Sequence, residues 1–218
     1  MALSFMHGLA RGSMPLLPFL QDAGRLKRTK RTGWLLDGVR DGESVAEHSW
    51  RCALMALVLR SPGVDPHKLC AMLLLHDLAE ARTGDLVTDD KEQYHTAAVR
   101  QHSRRRRYRL VLLEEKRRRE AAALEAMLKP LGPRAKPLRA LLKEYNARRT
   151  PTARLAKDID ILELAIQAVE YEHAQGKRLD HYFHYARSAV RTPVGKRLLD
   201  EILATRRRRS SRSPRASS

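Results

Sequence analysis

The chain has 218 residues, 43% of them apolar and only 5% aromatic, which suits one well-cored domain rather than two. No apolar run approaches the ~18–20 residues of a membrane span, and the two cysteines, Cys52 and Cys70, form no CxxC pair and read as core thiols of a reducing compartment. The net charge of +18 is local: residues 100–119 hold ten Lys/Arg against Glu114 and Glu115, residues 206–218 hold six Arg and no acid, and the remaining body is nearly neutral.

Residues 1–14 read as an N-terminal extension; they lack acids but are too poor in Arg for a clear targeting segment. Residues 15–28 place Leu16, Leu17, Phe19, Leu20, Ala23 and Leu26 at helical spacing, and a basic loop from Lys27 to Trp34 follows. Ser44-Val45-Ala46-Glu47 matches a capping box, so a helix starts near Val45. That helix is apolar nearly all round, which predicts a central position. Ser61-Pro62-Gly63 breaks it, and Asp65-Pro66 opens another with Asp as N-cap and Pro at the first helical position. Leu69, Met72, Leu73, His76 and Glu80 share one face of this second helix, and Gly84 stops it. Residues 91–128 form a long polar helix or two, 131–137 a Pro/Gly break, and 138–145 a short helix. Thr150-Pro151 opens the next helix, with Ile159, Leu162, Ile166 and Val169 at core spacing, and a last helix covers about 179–205. No strand alternation of useful length occurs, and residues 206–218 are of a composition that stays disordered. The predicted fold is all-α: a single helical bundle over 15–205 with a basic insertion at 100–119.

Three stretches carry chemistry: Glu47-His48, the run from His76 to Asp85, and Lys157-Asp158-Ile159-Asp160. A lone His or Asp on a helix is ordinarily a core or cap residue. His76, Asp77, Glu80 and Asp85 within ten residues of an apolar run are different, because each is costly to bury without a partner. Two imidazoles and two carboxylates form a mixed N/O set suited to a divalent ion. Adjacent residues on a helix diverge by about 100°, so His76 and Asp77 can flank one ion, with His48 and either Asp158 or Asp160 closing the set. Glu80 then lies within reach of a water to be activated.

The segments RTGWLLDGVRDGESVAEHSWRCALMAL, LLLHDLAEARTGD and AKDIDILELAIQAVEYE resemble the 5′-deoxynucleotidase family of HD-domain metallohydrolases, over about residues 16–99 and 138–200. The resemblance implies an all-α HD domain and a divalent ion (manganese, cobalt or magnesium) held by His48, His76, Asp77 and, by alignment, Asp160. It implies that Glu80 and Asp85 are the catalytic acidic pair, which in some members helps hold a second ion together with the Leu86 carbonyl. It places Arg31 on the substrate phosphate and Trp34 in a stack near base or sugar. The implied substrate is a deoxynucleoside 5′-monophosphate and the implied assembly a homodimer. The segment 100–119 and the Arg/Ser tail lie outside the family pattern and are expected not to touch the motif residues.

Two other classes stay open from sequence. One is a different HD phosphohydrolase acting on a triphosphate, cyclic nucleotide or alarmone. The other is a nucleic-acid binder, whose Arg runs give weak, salt-dependent phosphate contact; few aromatics accompany them for base stacking. No membrane association is expected, and the compartment expected is the cytoplasm, with nucleus or mitochondrion as alternatives.

Overall fold

The structure, a computed structural model, describes residues 16–88 and 113–212. Ten α-helices are formed among them, with no strand: α1 (Leu16–Ala23), α2 (Thr32–Leu36), α3 (Val45–Val58), α4 (Pro66–Leu75), α5 (Glu80–Thr83), α6 (Leu113–Leu128), α7 (Ala135–Ala147), α8 (Pro151–Gln175), α9 (Asp180–Ala189) and α10 (Pro193–Arg212). The all-α expectation holds. No helix among the described residues is long and apolar enough to cross a membrane.

The 25-residue α8 is the axis of the bundle and packs against α3, α4, α7, α9 and α10. Its Leu155, Ile159, Leu162, Ala165 and Val169 are buried in the main core with Cys52, Ala56, Leu69, Met72 and Leu73. A second cluster, built on Leu26, Val45, Leu78, Met127 and Leu128, seats the N-terminal helices on α6.

The start signals act as their chemistry requires. Ser44 Oγ accepts from Glu47 N, and Glu47 Oε2 accepts from Ser44 N at 2.6 Å, a reciprocal cap that opens α3. Asp65 caps α4 by accepting from His67 N at 2.9 Å, with Pro66 in the first helical position. The basic loop is tied to this cap region: Arg31 N donates to Glu43 O at 3.0 Å and Val45 N to Thr29 O at 2.8 Å.

Four expectations need correction. The helix from Pro66 does not run unbroken to Gly84; it ends at Leu75 and continues through a tightened turn. There Leu78 N, Glu80 N and Ala81 N each bond to the carbonyl three residues back rather than four. Glu80 N thereby bonds to Asp77 O, where a regular helix would join it to His76 O. Gly84, at φ +71°, does stop the segment. The last helix is two, interrupted at 190–192 before Pro193, and α10 runs on to Arg212 instead of giving way at 206. Arg206 is fastened there: it pairs with Glu172 at 2.7 Å and its guanidinium lies 4.0 Å from the centre of the Phe183 ring. Finally, α3 is not buried all round. Trp50, Leu54, Leu57 and Val58 are 41–66% exposed, as no described element covers that face.

Of the predicted polar helix at 91–128, residues 113–128 are helical; the rest lies outside the described residues, as do 1–15 and 213–218.

Candidate metal and phosphate site

Residues far apart in sequence converge beside the first turn of α3. His48, with no exposed surface, comes from that turn. His76 and Asp77 come from the tightened turn after α4, and Asp160 from the middle of α8. His48 Nε2 lies 3.3 Å from Asp160 Oδ1 and 4.0 Å from Asp77 Oδ2; His76 Nε2 lies 3.2 Å from Asp77 Oδ2 and 3.8 Å from Asp160 Oδ1. Each of the four predicted residues thus has a donor atom within 3.2–4.0 Å of donor atoms of two of the others.

Hydrogen bonds on the far sides set how those atoms are presented. His76 Nδ1 bonds Leu73 O at 2.6 Å. A carbonyl only accepts, so Nδ1 carries a proton, and in the neutral ring Nε2 faces inward as a lone pair. That Nε2 is buried and has no hydrogen-bond partner. His48 Nδ1 makes a short contact with Glu163 Oε2, while Glu163 Oε1 accepts from Arg51 Nε at 2.8 Å. Asp160 uses Oδ2 to accept from Tyr145 Oη at 2.9 Å and Lys157 Nζ at 2.6 Å, which leaves Oδ1 toward the histidines. Two imidazole lone pairs and two carboxylate oxygens converging in a buried space repel one another unless a cation lies between them. Donor spacings of 3.2–4.0 Å suit an ion with ligand bonds of about 2.0–2.2 Å. The residues therefore fit a divalent cation.

Among the described residues, two other groups come close enough to share an ion, His48/Cys52/His76 and Glu43/His48/Glu163. Neither is as well suited. Burial pushes the Cys52 thiol up to about 12, so it stays protonated and a poor ligand. The second group would need the His48 nitrogen already engaged by Glu163.

Asp158, the open alternative to Asp160, is occupied elsewhere. It accepts from Arg191 N at 3.0 Å and from Thr192 N and Oγ1 at 2.6 Å each, clamping the α9–α10 turn. A Cβ on Gly195 would meet its Oδ2 at 2.7 Å, so the clamp also requires glycine there.

Of the remaining predicted residues, Arg31, Trp34, Glu80 and Asp85 border a cavity of about 240 Å³ that opens off this cluster. Arg31 reaches across it, donating from Nη1 to Asp77 Oδ2 at 3.0 Å. Glu80 is 3% exposed and its Oε2 has no hydrogen-bond partner. Burial and the neighbouring Asp77 and Asp85 push its pKa well up, against the pull of Lys116 and Arg31. Asp77 goes the other way: burial works against its charge, but the His76 ring in its protonated form and the Arg31 guanidinium outweigh burial and hold it below the usual carboxylate range. Asp85 accepts through Oδ2 from Thr32 N at 2.8 Å, and its carbonyl accepts from Thr32 Oγ1 at 2.7 Å. It therefore holds the Arg31 loop over the cavity.

Three calls change. Trp34 borders the cavity but has no exposed surface. It packs against Tyr171 and Tyr182 and donates from Nε1 to Glu43 at 2.9 Å, so it anchors the loop and has no free face for stacking. The Leu86 carbonyl accepts from Lys116 Nζ at 2.7 Å. That same contact overturns the expectation that the basic segment 100–119 stays away from the motif: Lys116 turns inward from α6 and lies 3.6 Å from Glu80 and 3.1 Å from Glu120.

Glu163, Tyr145, Arg51 and Lys116 are the site residues that sequence reasoning missed. Glu163 follows Asp160 by three positions and Arg51 follows His48 by three, a helical spacing that marks neighbours on one face. Tyr145 and Lys116 carry no such signal, since each arrives on a different helix.

The HD-domain family model matches residues 23–200. The chain belongs to the HD-domain family. Among curated relatives, this HD-domain protein is 33% identical over 174 residues to the 5′-deoxynucleotidase HDDC2 of Danio rerio, covering 77% of this chain and 76% of that one. It is 31% identical to the human protein of the same name, covering 89% and 88%. It is 29% identical to the 5′-deoxynucleotidase hdd1 of Schizosaccharomyces pombe, covering 90% and 93%. Among solved structures, it matches a conserved hypothetical protein of Pyrococcus furiosus at TM-score 0.63 and 30% identity, covering 88% and 99%. It matches a "Predicted metal-dependent phosphohydrolase" of Magnetospirillum magnetotacticum at TM-score 0.63 and 26% identity, covering 91% and 94%.

Proposed function

We propose that the protein is a metal-dependent 5′-deoxynucleotidase, hydrolysing deoxynucleoside 5′-monophosphates to deoxynucleosides and phosphate. The observation that carries this reading is the buried, unpartnered Nε2 of His76 facing Asp77 and Asp160 beside a cavity bordered by Arg31 and Lys116. The names of the relatives add the substrate class.

His48, His76, Asp77 and Asp160 would hold the ion, and manganese, cobalt and magnesium all accept such a donor set. When bound, a divalent ion supplies positive charge against the phosphate oxygens and makes nearby water more acidic. Arg31 exchanges part of its contact with Asp77 for the phosphate and offsets the charge that builds on the phosphoryl oxygens. Glu80 orients a water through its unpartnered Oε2 and takes its proton as the water oxygen attacks phosphorus opposite the 5′ oxygen. The phosphorus–oxygen bond then breaks, and the departing 5′ oxygen picks up a proton from solvent. Lys116 keeps Glu80 in place, and Asp85 keeps the Arg31 loop closed over the cavity.

The assembly in this reading is a homodimer. Trp50, Leu54, Leu57 and Val58 form an uncharged stripe on one helix, a surface that can meet its own copy in an isologous contact. Both cysteines are free thiols, which fits the cytoplasm.

The test is phosphate release from a panel of deoxynucleoside and nucleoside mono- and triphosphates, each with manganese, cobalt or magnesium. Deoxynucleoside monophosphates should be turned over, and a chelator or Asp77→Ala should reduce the rate at least about a thousand-fold. Near-normal turnover by folded Asp77→Ala in excess metal would sink the assignment.

A further inference from the structure

His48 and His76 are held differently. The outer nitrogen of His76 meets a neutral carbonyl, that of Leu73; the outer nitrogen of His48 meets a carboxylate, that of Glu163. Glu163 has no exposed surface, and its two oxygens are divided: Oε2 to His48 and Oε1 to Arg51 at 2.8 Å. Arg51 in turn reaches Gln167 and, at 2.9 Å, Glu170, so its guanidinium is fixed by three side chains of α8. A buried carboxylate is expensive to desolvate. An ion pair joining α3 to α8 needs only Arg51 with the half-exposed Glu170, so helix pairing alone does not account for Glu163.

We infer that Glu163 is a positioning residue for the metal site: its carboxylate, oriented by Arg51, fixes His48 with Nδ1 protonated and Nε2 directed at the ion, and strengthens that nitrogen as a donor. The inference rests on the proposed metal-binding role of His48. A carboxylate behind a ligand imidazole settles the tautomer and raises the basicity of the inner nitrogen, and loss of such a partner typically weakens metal binding about 10- to 100-fold. Arg51 is the reason that Oε2, and not both oxygens, is left for His48. Glu163 touches neither the ion nor the substrate, so it acts only through His48.

The measurement is calorimetric titration of the metal-free full-length protein with Mn²⁺. It is run alongside ¹⁵N imidazole spectra of the protein saturated with diamagnetic Mg²⁺. Glu163→Ala should weaken Mn²⁺ binding by about 10- to 100-fold. The isosteric Glu163→Gln keeps an acceptor for His48 Nδ1 and should fall between the two. The unaltered protein supplies a readout that needs no variant: His48 must be protonated at Nδ1 and unprotonated at Nε2. Circular dichroism separates lost binding from lost fold. If the unaltered protein takes up no Mn²⁺, the metal reading falls and this inference with it. If it binds and both variants match its affinity, or if His48 carries its proton on Nε2, the inference alone is overturned.

Discussion

Glu80 and Lys116 face each other at 3.6 Å across the cavity, although 35 residues separate them. Each changes the other. Burial and two neighbouring acids drive the Glu80 pKa up while Lys116 pulls it down; burial lowers the Lys116 pKa, but Glu80, Asp85 and Glu120 raise it overall. Lys116 therefore stays charged and keeps Glu80 closer to ionised. Lys116→Met should cut turnover on the order of ten-fold and move the acid limb of the pH–rate profile to higher pH, because Glu80 then holds its proton longer. An unchanged profile in a folded variant would separate Lys116 from Glu80 functionally.

Asp158 and Asp160 make a paired test. Asp158→Ala removes the acceptor of Arg191 N, Thr192 N and Thr192 Oγ1. It should lower unfolding free energy by roughly 2–4 kcal/mol, as buried donors are left without partners, while turnover at low temperature stays within several-fold. Asp160→Ala should do the reverse, abolishing turnover with a smaller stability loss. Denaturant unfolding and phosphate release on both variants check this; the opposite pattern would move the ligand role to Asp158.

Glu43 gives a pH dependence of stability. Burial, and then the neighbouring Glu163, raise its pKa from 4.5 to about 7. Between those values the folded chain binds more protons than the unfolded one, so this group makes stability fall as pH rises through that window. Glu43→Gln, which keeps an oxygen for Trp34 Nε1, should remove the fall and gain about 1–3 kcal/mol relative to the unaltered protein near pH 8, with little gain near pH 4.5. Denaturant midpoints across pH test it; parallel curves for the two proteins would refute it.

The exposed stripe of α3 predicts assembly. Trp50, at 64% exposure, is its largest member. Trp50→Glu should convert a dimer to a monomer by light scattering without lowering the melting temperature of the monomer, since the residue makes no core contact to lose. A monomeric unaltered protein at high micromolar concentration would end the proposal.

Much of this was legible in the chain because the signals were local. The cap at Ser44, the Asp65-Pro66 start and the core spacing of Ile159, Leu162 and Val169 each depend on residues within a turn or two. The motif residues proposed to carry the chemistry were legible by type and resemblance. What sequence left hidden arrives from elsewhere. Tyr145 reaches Asp160 from α7 and Lys116 reaches Glu80 from α6; no spacing announces either. Trp34 misled because a tryptophan in a substrate loop can stack or anchor, and only its burial against Tyr171 and Tyr182 decides. Arg206 misled because a run of four arginines hides that the first of them is fastened to Glu172.

The tightened turn from His76 to Glu80 has a consequence for which substitutions the chain can tolerate. Three-residue winding advances about 120° per residue where an α-helix advances about 100°, so over the three steps from Asp77 to Glu80 the two differ by about 60°. A change at Leu78 or Ala79 that favours regular helix would swing Glu80 away from Asp77 without altering any group that does chemistry. Greater local helix propensity is adverse here. Stabilising substitutions sought by that criterion should spare this turn, and circular dichroism would register the damage as an improvement.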